Sequence, residues 1–429
     1  MNAVVPPLDK IQTHYEQQIA LLSANMSLSS YWHERSTTAW QKFLQLGFPT
    51  RRQEAWKYLD LNAFLKQEFS LSALPATAED KAQAKQYALT DSYPIYCING
   101  IYLFAEPSSL PTGVTVNNVF SKQSQPAELA DKLLNNPLAQ LNQATLAQGI
   151  AIDIADNITV DKPIHIIHVA TEAAALKMLP IQNQWTIGKN SQVQILESYQ
   201  GSADTRYCYN ITTLIHLQPT AKLTHYLLQQ EGNTAFHFNQ QVVQQQQDSE
   251  YLNHVFSLGG GIIRNDKTVL LIANGAVAQL SGMYHAKGRD QIANHLYLQH
   301  DAVQNASTTQ YKGLADGQGK GVFNGKIVVN PAAQKVSAQL QNKNLLLSPT
   351  AEIDTKPELE IYSEDVLQCT HGASVGQLDD NALFYLTARG IDKLSARQIL
   401  TRAFIMDRLS DIKNEAVKQY IEQRMVDRL

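Results

Sequence analysis

Cysteine is scarce in this chain: Cys97, Cys208 and Cys369 are the only three in 429 residues. Three scattered thiols exclude a disulfide framework and suit a reducing compartment. Charge is scarce too, at 17% of residues, with 35 basic against 39 acidic side chains and a net charge of −4. That balance argues against a general nucleic-acid binder, which needs a basic surface. No stretch reaches the roughly 18 to 20 apolar residues of a membrane span. The opening MNAVVPPLDKIQ lacks a basic segment followed by a long apolar one, so no secretion signal is expected. These absences lead to the expectation of a soluble, cytoplasmic protein.

What is present is ample apolar material, 44% of residues, so a folded core is expected. With few charges, the surface must lean on Gln, Asn, Ser and Thr, as the run Gln240 to Gln247 shows locally. The length allows roughly three domains, although elongated β architectures run longer as one unit.

The period of the apolar pattern changes twice. Asp9 to Leu22 and Leu28 to Leu46 carry helical spacing, Arg51 to Tyr58 follows an interruption, and Tyr93 to Phe104 is β-like. Ala127 to Leu146 returns to helical spacing. From about Ala151 short alternating runs dominate, among them Ile164 to Val169, Gln192 to Tyr199 and Lys222 to Leu228. Turn residues such as Asn190-Ser191, Pro219-Thr220-Ala221, Asp248-Ser249 and Asn274-Gly275 punctuate them about every 25 to 30 positions, a solenoid period. A two-strand repeat cannot bury its apolar face alone and must stack on its neighbours. The expected fold is a right-handed parallel β-helix over 151–375, with a mostly helical region over 1–150 and a helical region over 376–429. A β-sandwich is the competing reading. Within the tail, Asp379 or Asp380 caps a helix through Ala388, Ser395 opens a second, and Asn414 to Leu429 forms a third.

Few segments carry the pattern of a chemical motif. In Gly313 to Gly321 the P-loop positions are filled by Leu314 and Gly321, so nucleotide hydrolysis is not expected and a tight corner is. Nine histidines lie between His165 and His300; His295 and His300 are five apart, which in a strand places them on opposite faces. The carboxylates from Asp354 to Asp365 lack a spacing that would stack them turn on turn, and read as a solvated face. A polysaccharide-active β-helix enzyme would need such a stack. Cys97 and Cys208 sit in aromatic β runs and read as core. Cys369 and His371 are different: alternate positions on an extended chain put thiol and imidazole on one face, just before the Asp379 helix. They are either two ligands of a site completed by another chain, or a small thiol beside a turn histidine. Two ligands do not close a zinc or iron–sulfur site.

The block LEIYSEDVLQCTHGASVGQLDDNALFYLTARGI, Leu359 to Ile391, resembles the carboxy-terminal signature of the SufB/SufD family of iron–sulfur cluster assembly proteins. Thr309 to Ile361 resembles the same family's core. RRQEAWKY (Arg51 to Tyr58) and PLAQLNQA (Pro137 to Ala144) are similar to its SufD branch. The resemblance implies a β-helix flanked by helices, and a non-catalytic subunit of a complex with a SufB paralogue and the ABC-type ATPase SufC. SufC would dock on about Asp379 to Leu429. It implies no cluster held by this chain alone, but a transient iron–sulfur cluster shared with SufB, with His371 as a candidate ligand and Cys369 as a weaker one. Cys-Thr-His-Gly-Ala in place of the His-Glu-Ala of SufB, with only three cysteines, favours the SufD branch over a SufB-like scaffold. A homodimer of the isolated chain through the same surface stays open.

Overall fold

The computed structural model describes residues 8–25, 29–71, 75–103, 110–122, 127–145 and 148–428. The expected segment ends Leu28, Phe104, Leu146 and Leu429 lie outside them, as do residues 1–7 of the opening segment.

Helices α1 (Leu8–Asn25), α2 (Ser30–Leu46), α3 (Asn62–Leu65) and α4 (Ala78–Lys85) come first. Strands β1 (Tyr93–Ile98), β2 (Ile101–Leu103) and β3 (Val114–Asn118) then precede α5 (Ala127–Asp131) and α6 (Pro137–Thr145). Sixteen strands follow. They are β4 (Ile150–Ile154), β5 (Ile164–Ala170), β6 (Met178–Ile187), β7 (Gln192–Gly201), β8 (Cys208–Leu217), β9 (Lys222–Gln230), β10 (Phe236–Gln245) and β11 (Glu250–Gly259). Then come β12 (Ile262–Leu271), β13 (Val277–Gly288), β14 (Gln291–His300), β15 (Ala306–Gly317), β16 (Lys320–Val329), β17 (Val336–Leu346), β18 (Glu352–Ile361) and β19 (Val366–Gln377). Helices α7 (Asp380–Ala388), α8 (Lys393–Ser410) and α9 (Glu415–Arg428) close the chain.

From β4 and β5 onward, even strands stack in one sheet and odd strands in the other, each pairing in parallel with the strand one turn away. The result is a parallel β-solenoid of about eight turns, and the parallel ladders exclude the antiparallel sandwich. Side-chain bonds between turns join residues 28 apart at Lys222–Glu250, 29 apart at Arg289–Gln318 and 33 apart at Asn157–Asn190. The solenoid starts inside the 1–150 segment, because β1 pairs in parallel with β5 along its whole length. That first end is closed by antiparallel pairing of β2 on β1 and β3 on β4.

One corner of each turn is the same device. Asn190, Thr220, Asp248, Gln304 and Lys335 hold φ between 53° and 61°, and Gly275 holds 72°. Each of these residues donates its backbone N–H to a corner carbonyl of the next turn, as Thr220 does to Gln247 and Asp248 to Asn274. The left-handed conformation is easy for Asn, Asp and Gly but costly for a β-branched Thr. At Thr220 the turn-to-turn bond, 2.8 Å long, offsets that cost.

Both faces of the middle strands are covered, which is why β10 is buried along its whole length. The N-terminal region puts Phe64, Phe69 and Trp56 against Phe236, Phe238 and Ile262 on the outside of the even sheet. Helices α8 and α9 put Ile405, Leu409, Ile421 and Met425 against Tyr226, Phe256 and Met283 on the outside of the odd sheet. The lumen is lined largely by apolar side chains but also carries buried charge. There Glu197 bonds His225 (2.9 Å) and Gln241 (3.3 Å), and Lys267 Nζ lies 2.5 Å from Asn253 Oδ1 and 3.2 Å from the Tyr251 hydroxyl.

Two local expectations are corrected. Gly313 to Gly321 is not a single corner: Gly313 lies inside β15 and Gly321 inside β16, and only Gly317 to Gly319 turns the chain. Helix α8 starts before Ser395, because the Asp392 carboxylate accepts from the backbone N–H groups of Leu394 and Ser395, both at 3.0 Å. Within α8, Ile399 is exposed whereas Ile405 and Leu409 are buried. His295 and His300 do face opposite ways: His300 bonds Ser307 inside the solenoid at 2.9 Å, and His295 lies outside near Tyr58 and Asp354.

Candidate functional site

The two ends of the solenoid differ. The first is capped; at the last, β18 and β19 each have a single ladder neighbour and form the outer edges of their sheets. Such edges leave backbone donors and acceptors open to a partner strand. Ile361, Tyr362, Leu367 and Val375 on these last strands and their connection are exposed, Leu367 at 70%.

Cys369 and His371 lie on β19. Their ladder partners on β17 are Ala338 and Leu340, both buried in the core cluster. Partners in a parallel ladder point the same way, so both side chains face the lumen side of the last turn, as the alternation predicts. Cys369 is half-buried against that core and His371 is exposed. Burial pushes the Cys369 thiol up, and a backbone hydrogen bond at Ala338 opposes this only in part. The neighbouring imidazole therefore does not give Cys369 a ready thiolate in the free chain. Cys97 and Cys208 are fully buried and burial pushes both thiols up, so neither is available as a ligand. Among the described residues no three His, Cys, Asp or Glu side chains come together in a way that could hold a metal ion.

Strand β19 leads directly into α7. The Asp379 carboxylate accepts from the Asn381 and Ala382 backbone N–H groups and so fixes the start of that helix. No residue of α7 is buried; Phe384 and Tyr385 are 73% and 55% exposed. The next helix is instead latched to the odd sheet. Lys312 Nζ donates to the Phe404 carbonyl (2.6 Å) and to Asp407 (2.7 Å), and Arg408 donates to Gln310 (2.6 Å). Arg428 at the end of α9 reaches Asp290 at 2.5 Å. An uncovered apolar helix thus sits between a fixed tail and the open last turn.

The carboxylates near the end are surface partners. Lys326 meets Glu360 at 2.6 Å, and Lys356 meets Glu54 and Glu358, both at 3.0 Å. Glu197, His225 and Lys267, brought together in the lumen, share no signal in the sequence. They come from lumen-facing positions of β7, β9 and β12, where Gln229 and Asn265 are polar as well. Among the described residues no helix is long and apolar enough to cross a membrane.

Two family profiles divide the chain. "SufBD protein N-terminal region" matches residues 8–166, and "SUF system FeS cluster assembly, SufBD core domain" matches residues 170–404. The iron–sulfur cluster assembly protein SufD of Escherichia coli is 28% identical over 394 residues, 91% of either chain. An iron–sulfur cluster assembly SufBD family protein of Synechocystis is 27% identical over 88% of this chain and 87% of its own. Protein ABCI7, chloroplastic, of Arabidopsis thaliana is 26% identical over 92% and 86%. With a core profile spanning more than half its length and its last turn built as described, this chain belongs to the SufB/SufD family of iron–sulfur cluster assembly proteins.

Proposed function

We propose that the chain is a non-catalytic, cytoplasmic subunit of a SufBCD-type complex, pairing with a SufB paralogue through its open last turn and with the ATPase SufC through α7. The observation that carries this reading is the coincidence of three features at one end: an unpaired sheet edge, a lumen-facing Cys369 and His371, and an apolar helix none of whose residues is buried. The nascent iron–sulfur cluster is cargo that this chain helps to house. Most thiolates come from the SufB paralogue, His371 contributes a neutral imidazole nitrogen, and Cys369 is the weaker candidate. A cluster needs about four ligands, usually thiolates, and this chain has one thiol that is not fully buried. Seating on the partner changes the surroundings of Cys369, so its thiol is set in the complex. ATP-driven movement of SufC then reaches the seam through the short connection from α7 to β19. The same edge supports a homodimer when the partner is absent.

Anaerobic co-expression with SufB and SufC, followed by size exclusion and iron and sulfide analysis, tests the reading. A stable complex whose cluster content falls with His371→Ala supports it. A stable complex with unchanged content reduces the chain to a scaffold, and no complex at all overturns the assignment of partners.

A further inference from the structure

Tyr284 on β13 is fully buried and points into the lumen. Its ladder neighbour one turn on is Gly313, and the neighbour after that is Asn344 on β17. Because Gly313 has no side chain, the Tyr284 hydroxyl passes across the intervening turn and donates to Asn344 Oδ1 at 2.8 Å. A Cβ at Gly313 would lie 2.3 Å from both the Tyr284 hydroxyl and Asn344 Oδ1, and one at Gly321 would lie 2.5 Å from the Tyr284 ring. Two glycines of the stretch 313–321, one from each sheet, therefore make the slot that this tyrosine fills.

The chain of bonds continues outward. Asn344 Nδ2 donates to the Ser374 backbone carbonyl on β19 at 3.1 Å and to Asn342 Oδ1 at 2.5 Å, and Asn342 Nδ2 donates to the Tyr311 carbonyl at 3.2 Å. Strand β19 has one ladder neighbour, so this is a second hold on it, made from inside the solenoid. Ser374 lies between His371 and the Asp379 cap of α7. A movement of α7 meets this pin before it reaches the imidazole. Burial pushes the Tyr284 hydroxyl far above the usual phenol range, so it stays a donor.

We propose that Tyr284 and Asn344 are positioning residues for the cluster-facing strand, setting the place of Cys369 and His371 through the Ser374 carbonyl. This rests on the reading of those two residues given above.

The test is hydrogen exchange on the full chain and on its complex with SufB and SufC, for Tyr284→Phe and Asn344→Ala, alongside anaerobic cluster content. Tyr284→Phe keeps the ring in its slot and removes only the donor. Loss of one buried hydrogen bond is expected to speed exchange across residues 366–377 about tenfold, with strands β9 to β12 unchanged and cluster content reduced several-fold. Unchanged exchange across 366–377 in both variants overturns the proposal. So does faster exchange with full cluster content in a background where His371→Ala lowers it. If His371→Ala itself has no effect, the reading of the site fails separately. Exchange across 366–377 then decides whether the tie is kept or discarded.

Discussion

The Arg264 guanidinium lies 3.6 Å from the centre of the Trp56 ring and holds the N-terminal segment onto the outside of the even sheet. Its Nε donates to both Asp266 oxygens, at 3.0 and 2.9 Å, and Nη1 donates to the Ala55 carbonyl at 2.6 Å. Trp56 and Arg264 are 5% and 3% exposed. Stacking and bidentate bonding together need a planar fork, which lysine lacks. Trp56→Ala is expected to cost about 3–5 kcal/mol. Arg264→Lys should cost about 2–3 kcal/mol, by loss of the stack and of a well-formed pair with Asp266. Urea unfolding checks both. The double variant should cost less than the sum, since the two side chains share one contact.

The lumen charges make stability depend on pH at two places. Burial raises the Glu197 carboxyl, but the His225 hydrogen bond and its neighbours pull it below the ordinary value. A depressed acid stabilises the fold above its unfolded pKa of about 4.3, and that contribution is lost as pH falls through the folded value. Glu197→Gln should therefore be much less stable than wild type at pH 7, by about 2–4 kcal/mol, and the gap should close in acid. Melting curves from pH 3 to pH 7 measure it.

Lys267 works at the other end of the scale. Burial lowers its ammonium to about 7, with Glu197 opposing. Between there and the unfolded value of about 10.4 the unfolded chain binds more protons, so the lysine's contribution to stability rises with pH. Wild type should gain on Lys267→Met between pH 7 and pH 10. Parallel denaturation curves for the two proteins would expose a flat difference and refute the assignment.

Thiol chemistry should single out Cys369. In the native chain Cys97 and Cys208 are sealed in the core, and only Cys369 should react with an alkylating reagent. Because burial pushes its thiol up, the reaction should be slower at neutral pH than that of a free cysteine. A rate above that of free cysteine would overturn this account of its surroundings.

On α7, Phe384→Glu should separate folding from binding. With no buried contact to lose, the melting point should shift by less than the equivalent of about 0.5 kcal/mol. Affinity for the proposed SufC partner should fall at least about tenfold, as for an apolar anchor at an interface centre. Calorimetry on the purified pair reads the second effect.

Much of the fold was legible because solenoid signals are local. The turn residues at Asn190, Thr220, Asp248 and Gly275 are all corners, and the alternating runs between them are strands. The placing of Cys369 and His371 on one face followed from the two-residue period of a strand. What stayed hidden depends on contacts between distant turns. Gly313 and Gly321 look like corner residues until Tyr284, some thirty positions earlier, is seen to need their missing side chains. Glu197, His225 and Lys267 come from three different strands, and nothing in their local sequence tells that they meet. Trp56 reads as part of a motif, yet its role depends on Arg264, more than two hundred residues away.

The repeated left-handed corner has a consequence for how such a protein can change length. Thr220, Asp248 and Gly275 occupy equivalent places, and each hands its N–H to the next turn. A cut at one corner rejoined at another would put like against like, so a whole turn behaves as a removable cassette. Insertions of other lengths would have to bulge outward at a corner. The reach from the capped end to the open last turn is therefore set in steps of one strand spacing, about 4.8 Å.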